Sequence, residues 1–158
     1  MNMAADSITI RKAVETDIPA IHQLLAGYAR QQLLLARSPE DLLYHLGNFV
    51  VAEKEGRFVG CGALRDFGSN LYEVRSLAVD PETVGKGIGS RIVEYLVERA
   101  RGKKPCRVFA LTYHPELFIR KGFRRVSKEL FPPKIWCDCS KCPKKDHCDE
   151  EAVAVEIE

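Results

Sequence analysis

The stretch 77–91, LAVDPETVGKGIGSR, decides the fold. Its apolar beginning reads as the end of a strand that stops at Asp80-Pro81, and its three glycines precede an amphipathic, helix-like segment. A turn from a strand into a helix presents free backbone N–H groups and the positive end of the helix dipole. Glycines let such a backbone adopt positive φ and approach an anion closely. The stretch therefore predicts an anion-binding loop, against the plainer alternative of a tight turn, which needs fewer glycines.

The glycine spacing excludes the two commonest nucleotide loops. Gly85, Gly87 and Gly89 follow the pattern G-x-G-x-G, whereas a dinucleotide fingerprint requires G-x-G-x-x-G. A P-loop requires Gly-Lys-Ser/Thr, but Lys86 is followed by a glycine. If the loop binds a phosphate, it therefore belongs to a different class of phosphate-binding loop.

Length and composition narrow the class of protein. The 158 residues are 46% hydrophobic, which suits one domain over residues 1–158 with its own core. A net charge of +2 is too balanced to indicate a nucleic-acid partner, and no apolar run reaches the ~20 residues of a membrane span. With no secretory leader pattern at the N-terminus, the six cysteines indicate a reducing cytoplasm and either thiols or a metal site.

Periodicity and turn residues predict the order β-α-α-β-β-β-α-β-α-β-β, an α/β sandwich with hairpins in its first half and βα units in its second. The predicted strands are 7–10, 49–52, 57–64, 71–79, 107–112, 123–127 and 153–157, and the predicted helices are 17–32, one starting at 38, 88–100 and 115–121.

A cysteine-rich segment, residues 131–149, interrupts this order before the last strand. Its cysteines follow C-x-C-x₂-C-x₅-C, a spacing that permits structural zinc but lacks the distant second pair typical of zinc sites. They are Cys137, Cys139, Cys142 and Cys148. Reduced thiols or a redox switch remain open alternatives, and no metal ligand is assigned. We expect the segment to be a lid over a substrate pocket, with Lys134 pointing at an anion.

The loop resembles the pyrophosphate loop of the GNAT acetyltransferases, R/Q-x-x-G-x-G/A, in which Gly87 and Gly89 match and Val84 replaces the Arg/Gln. A second stretch, LFIRKGF from 117 to 123, resembles the family's F-Y-x-x-x-G-F, with Phe118 in place of the tyrosine often assigned as the acid. The resemblance implies a mixed central sheet flanked by helices, an α+β fold, and acetyl-CoA as co-substrate. The implied coenzyme-binding residues are Leu77, Ala78, Val79, Gly85, Lys86, Gly87, Ile88, Gly89 and Ser90. The thioester oxygen is expected on the Val79 backbone N–H.

Further stretches resemble the acetyltransferase domain of the N-acetylglutamate synthases, in a short form without the amino-acid-kinase domain. They include IRKA at 10–13, LARS at 35–38, GCGAL at 60–64 and EVRSLAV at 73–79. The resemblance implies transfer of acetyl to the α-amine of L-glutamate, the first step of arginine biosynthesis. Because glutamate carries two carboxylates, its site needs cations from several directions. The candidate substrate-binding residues are Arg37, Arg65, Arg75 and Lys134.

Two candidate catalytic residues complete the site. Period-two alternation places Glu73 on one strand face with Arg75, Leu77 and Val79, and a carboxylate there suits the base that takes the ammonium proton, directly or through water. An ion pair of Glu73 with an arginine, without a catalytic role, is the alternative. Tyr113 or solvent would protonate the departing thiolate.

Two other functions stay open at this point. One is acetylation of a different small amine or of a protein amine, which an open acidic cleft would favour. The other is a non-enzymatic coenzyme A or zinc-binding interaction module, which a buried Glu73 ion pair without an acceptor pocket would favour. A small amino-acid substrate is the expected partner, without nucleic acid or membrane, and a homodimer is left open.

Overall fold

A computed structural model describes residues 8–31, 33–34, 37–83, 85, 87–103, 105–127 and 151–158. The strands are β1 (Ile8–Lys12), β2 (Phe49–Lys54), β3 (Arg57–Asp66), β4 (Leu71–Val79), β5 (Cys106–Thr112), β6 (Arg124–Val126) and β7 (Glu151–Ile157). The helices are α1 (Ile18–Arg30), α2 (Pro39–Tyr44), α3 (Ile88–Arg101) and α4 (Pro115–Ile119), with single 3₁₀ turns at Glu15–Asp17, Leu46–Asn48 and Pro81–Thr83. The predicted element order is confirmed, and within these described ranges the 3₁₀ turns are the only additional elements.

Local sequence explains where these elements start and turn. Ser38 caps α2 by accepting the Asp41 backbone N–H at 3.1 Å, and Pro39 occupies the first helical position. The β2–β3 hairpin turns at Glu55 and Gly56, whose φ values of 54° and 80° are those of a type I′ turn.

The strands form one mixed seven-stranded sheet in the order β1-β2-β3-β4-β5-β7-β6. The pair β4–β5 is parallel and the other neighbouring pairs are antiparallel. The C-terminal strand β7 lies between β5 and β6, with Val108 opposite Val155 and Val126 opposite Ala152. The predicted mixed sheet flanked by helices is confirmed, as an α+β fold.

Helices cover the sheet on two faces. One face packs against α3 and α4, through a core that includes Val74, Ile92, Leu96 and Phe118. The other face packs against α1 and α2, around Ile21, Leu25, Leu42 and Ala63. The amphipathic helices α1 and α3 thus bury their apolar stripes on opposite faces of the sheet. Strand β4 lies between these two faces and contributes residues to both cores. None of the helices within the described ranges combines the length and the apolar character that a bilayer crossing requires.

Candidate coenzyme and acceptor site

The glycine loop has the geometry of an anion site at the start of α3. Gly85 and Gly87 have φ values of 94° and 78°, and a Cβ added at either would meet nothing within 4 Å. Gly87 is the N-cap of α3 and provides no side-chain cap, so no side chain competes for the first N–H groups of this helix. The loop therefore offers open backbone donors and a helix dipole to a phosphate.

The glycine at 89 has a different role from its neighbours. A Cβ on Gly89 would lie 3.0 Å from Leu117 Cδ1, so this position lets α3 pack closely on α4. Ile88 and Gly89 are buried, and the Ile88 side chain belongs to the core on the α3 face. Lys86 lies outside the described residues, and its predicted contact is left as a prediction.

A gap opens between β4 and β5 beside this loop. Their parallel pairing runs from Leu71 opposite Arg107 to Glu73 opposite Phe109 and, within the described ranges, goes no further. The rest of β4 continues to Val79, and β5 continues to Thr112 on its β7 side. The two strands therefore diverge towards their carboxyl ends.

Backbone polar groups of Val79 point into this gap. Asp80 N donates to Val59 O across β3 at 2.8 Å, while Val79 lies opposite Gly60 in the next pair of the ladder. Since antiparallel pairs alternate between bonded and non-bonded, the N–H and C=O of Val79 face away from β3. The carbonyl accepts the Tyr28 hydroxyl of α1 at 2.6 Å. The N–H has the direction that a thioester oxygen in the gap requires.

A β-bulge in β4 corrects the predicted strand face. Ala63 lies opposite Arg75 and Cys61 opposite Ala78, so that β4 has one residue more than β3 in this interval. Ser76 takes up the extra residue with a φ of 54°, an uncommon value for a side chain other than glycine. Period-two alternation is broken there. Consequently Leu77 packs with Val74 on the α3 face, and the prediction that it shares a face with Glu73 is wrong.

The Val79 side chain is also on the α3 face. It therefore lies on the opposite face of β4 from Glu73. Glu73 and Arg75 lie on the α1–α2 side, because Arg75 is opposite Ala63 of that core. Before the bulge, β4 therefore presents Glu73 and Arg75 on the α1–α2 face. After the bulge, it presents Leu77 and Val79 on the α3 face.

Arg65, Glu73 and Arg75 form the polar cluster of the site. Arg65 is directly opposite Glu73, and the Arg75 Nη1 lies 3.6 Å from Glu73 Oε1. Glu73 is 1% exposed, and the Arg65 guanidinium stacks 4.4 Å from the Phe67 ring centroid. Two of the predicted acceptor cations therefore flank the predicted base, which is both buried and ion-paired.

Arg37 reaches the same region from the residue before the Ser38 N-cap of α2 but is already engaged. Its Nε pairs with Asp41 one helical turn on, and its Nη1 donates to the Ser76 hydroxyl at the bulge at 3.1 Å. The guanidinium also lies 5.5 Å from the Phe49 ring centroid. Its role as an acceptor ligand stays a prediction, with a clear structural role beside it: the side chain ties α2 to the bulge.

The remaining candidates are Tyr113, Phe118 and Lys134. Tyr113 follows directly after β5 and is half-buried, whereas Phe118 is 3% exposed and packs edge-to-face on Phe123. Phe118 has no proton to give. Lys134 and the four cysteines of 131–149 lie outside the described residues, as does the predicted lid. No group of side chains able to hold a metal occurs in the part of the chain that is described.

Comparison with known proteins establishes the class. Residues 45–125 match the model of the acetyltransferase (GNAT) domain. An N-acetyltransferase of Chlorobaculum tepidum, itself uncharacterised, is 39% identical over 151 residues, which are 96% of this chain and 97% of that protein. The chain belongs to the GNAT family of acetyltransferases, and the prediction of an acyltransferase enzyme is confirmed.

Within the family the chain is similar to amino-acid acetyltransferases. The one from Mycobacterium tuberculosis is 42% identical over 120 residues, 74% of this chain and 68% of that protein. N-acetylglutamate synthase from Neisseria gonorrhoeae, solved with coenzyme A and N-acetyl-glutamate, superposes with a TM-score of 0.83 at 30% identity. This match covers 96% of the present chain and 35% of the gonococcal one, so the chain spans about a third of that protein.

A solved protein of Mycobacterium tuberculosis, in complex with coenzyme A and a second ligand, matches over almost its whole length. Its TM-score is 0.80 at 34% identity, with 95% of this chain and 99% of that chain covered. Coenzyme A is thus bound in two homologous structures, and the prediction of acetyl-CoA as co-substrate is confirmed.

Proposed function

We propose that the chain transfers the acetyl group of acetyl-CoA to the α-amine of L-glutamate, the entry reaction of arginine biosynthesis. The observation that carries this proposal is the cluster of Arg65, Glu73 and Arg75 on the α1–α2 side of β4, where the strand leaves β5. Guanidinium groups bind carboxylates bidentately, so two of them near one site suit an acceptor that carries two carboxylates. The similarity to amino-acid acetyltransferases supports the same substrate class.

The proposed mechanism is direct transfer in a ternary complex. The pyrophosphate of acetyl-CoA lies on the N–H groups at the start of α3, and its thioester oxygen accepts the Val79 N–H in the gap. The ammonium of glutamate gives one proton, through water, to Glu73, because this carboxylate is too buried to meet bulk solvent. The freed nitrogen attacks the thioester carbon and a C–N bond forms; as the C–S bond breaks, the nitrogen loses its second proton, which passes through water to replace the one that Tyr113 gives up. Tyr113 supplies the proton that the departing thiolate takes up.

An acceptor panel tests the proposal. Acetyl-CoA is offered with L-glutamate, L-glutamine, L-aspartate, a polyamine and a lysine-containing peptide, and release of free thiol is followed while mass spectrometry identifies the product. We expect the highest kcat/KM with L-glutamate, since two arginines near the site favour an acceptor with two carboxylates and the similar proteins include an N-acetylglutamate synthase. A higher kcat/KM with the peptide or the polyamine would contradict an acidic-acceptor site. Equal values for glutamate and glutamine would show that the second carboxylate is not recognised.

A further inference from the structure

The Tyr28 side chain joins helix α1 to the carboxyl end of β4 through a hydrogen bond to the backbone. It lies near the C-terminus of α1, half-buried, and packs beside the core of the α1–α2 face. Its hydroxyl donates to Val79 O at 2.6 Å. In a sequence, a tyrosine at this place in an apolar helical stripe looks like an ordinary core residue.

The bond acts on the last peptide of β4. Val79 C=O and Asp80 N–H belong to the same peptide group, and the N–H of that group donates to Val59 O at 2.8 Å. Hydrogen bonds at both ends of one peptide polarise each other and fix its plane. With β5 no longer alongside, the Tyr28 hydroxyl takes the place of the neighbouring strand for this carbonyl.

This peptide is the junction of the two halves of the coenzyme site. On one side lies the Val79 N–H that faces the gap. On the other side Asp80 starts the turn into the glycine loop: its carbonyl accepts the Thr83 N–H at 2.8 Å, and its carboxylate accepts the Glu82 N–H at 3.0 Å. A rotation of the junction would change the distance and angle between thioester and pyrophosphate.

We propose that Tyr28 is a positioning residue for acetyl transfer, which holds the Val79–Asp80 peptide so that the thioester stays aligned on the Val79 N–H while the pyrophosphate is anchored in the glycine loop. Burial, followed by the Asp80 carboxylate, raises the pKa of Tyr28 above its ordinary value, so the hydroxyl keeps its proton and remains a donor across the working pH range. The proposal depends on the acetyl-CoA chemistry of the family and not on which amine accepts the group.

The test compares Tyr28→Phe with Tyr44→Phe. Both changes remove one phenolic oxygen from the α1–α2 region, but Tyr44 is 85% exposed and its ring packs edge-on against His45. Acetyl-CoA labelled with ¹³C at the thioester carbonyl is bound without any amine, and isotope-edited infrared spectra record the carbonyl band. We expect the band of Tyr28→Phe to move towards that of free acetyl-CoA and to broaden, and the band of Tyr44→Phe to match the unsubstituted protein.

Kinetics add a second readout, with whichever amine the acceptor panel selects. Loss of one hydrogen bond that acts on alignment predicts a fall in kcat of about tenfold, with the Kd for coenzyme A changed by less than about threefold. An unchanged band and an unchanged kcat would overturn the proposal, because the hydroxyl would then serve stability alone. An equal loss in coenzyme affinity and in kcat would also overturn it, because the hydroxyl would then bind the coenzyme and not align it.

A second substitution covers the case in which Tyr28→Phe fails to fold. Incorporation of 3-fluorotyrosine at position 28 keeps the hydroxyl and makes it a stronger donor, so the labelled band should sharpen or move further from that of free acetyl-CoA. An identical band would overturn the proposal. Since the spectra need no acceptor, they remain decisive if glutamate proves to be the wrong amine.

Discussion

Replacing Gly87 by aspartate should separate coenzyme binding from folding. The position is the N-cap of α3 with φ of 78°, and a side chain there enters open space. Asp and Asn tolerate this left-handed conformation better than other side chains, at roughly 1 kcal/mol. A carboxylate at the helix N-terminus stabilises the folded protein by about 0.3–1 kcal/mol through its interaction with the helix dipole. The free energy of unfolding should therefore change by less than about 1 kcal/mol, a shift of roughly 2–4 °C in Tm for a domain of this size.

The same carboxylate should repel the pyrophosphate. Two like charges about 4 Å apart repel each other by roughly 1 kcal/mol in water and by roughly 4 kcal/mol at an effective dielectric constant of about 20. The Kd for coenzyme A should consequently rise by between about fivefold and several hundredfold. Gly87→Asn is the matched control, because it has the same shape and the same backbone tolerance without the charge.

Calorimetric titration of coenzyme A into both variants measures the difference, and thermal unfolding checks the fold. The gap between Asp and Asn should shrink as salt is raised, since screening weakens an exposed charge pair. Equal affinities of the two variants for coenzyme A, in protein that is folded, would refute the placement of the pyrophosphate at this helix end.

Three more outcomes are expected. Arg65→Ala should raise the KM for glutamate by about 10–150-fold through loss of a charge-assisted contact, with little change in the KM for acetyl-CoA. Initial-rate measurements compare this variant with Arg57→Ala, which changes an exposed arginine on the same strand. Equal effects of the two variants on the KM for glutamate would contradict the acceptor site. The hydrogen bond from Arg11 lowers the pKa of Asp17 below 3.8, so its stabilisation is complete above that pH and is lost as the pH falls further. Denaturant midpoints should therefore fall in acid less steeply for Asp17→Asn, and identical acid limbs would disprove the pair's contribution. Burial raises the pKa of the Cys61 thiol to about 12, so peptide mapping after alkylation at neutral pH should find Cys61 unmodified in native protein and modified only after unfolding.

The features set by local sequence were predictable. The Ser38-Pro39 start of α2, the Glu55-Gly56 turn and the apolar run of β4 are each determined by a few neighbouring residues, and each occurs where the sequence predicts it. The glycine loop is also a local feature, since its conformation depends on the absence of a Cβ. These features can therefore be predicted from a short stretch of sequence without knowledge of the tertiary fold.

The features set by distant contacts were not predictable. A serine does not predict a positive φ. The bulge at Ser76 depends instead on the pairing of β4 with β3 and on the contact between the Ser76 hydroxyl and Arg37. Nothing local places β7 between β5 and β6 either. One signal could have been used: the spacing of Arg37 and Asp41 by one helical turn predicts their ion pair, and it argues that this arginine is partly engaged before any substrate arrives.

The position of β7 has a consequence for synthesis of the protein. The ribosome delivers β5 and β6 early, but within the described sheet β6 pairs with β7 alone, and β5 gains its second neighbour only when residues 151–157 arrive. A nascent chain can complete the hairpins of the first half and keep them, whereas one wall of the coenzyme cleft is assembled only after the last strand leaves the exit tunnel. The sheet around β5 and β6 therefore cannot be complete in a nascent chain that stops short of residues 151–157.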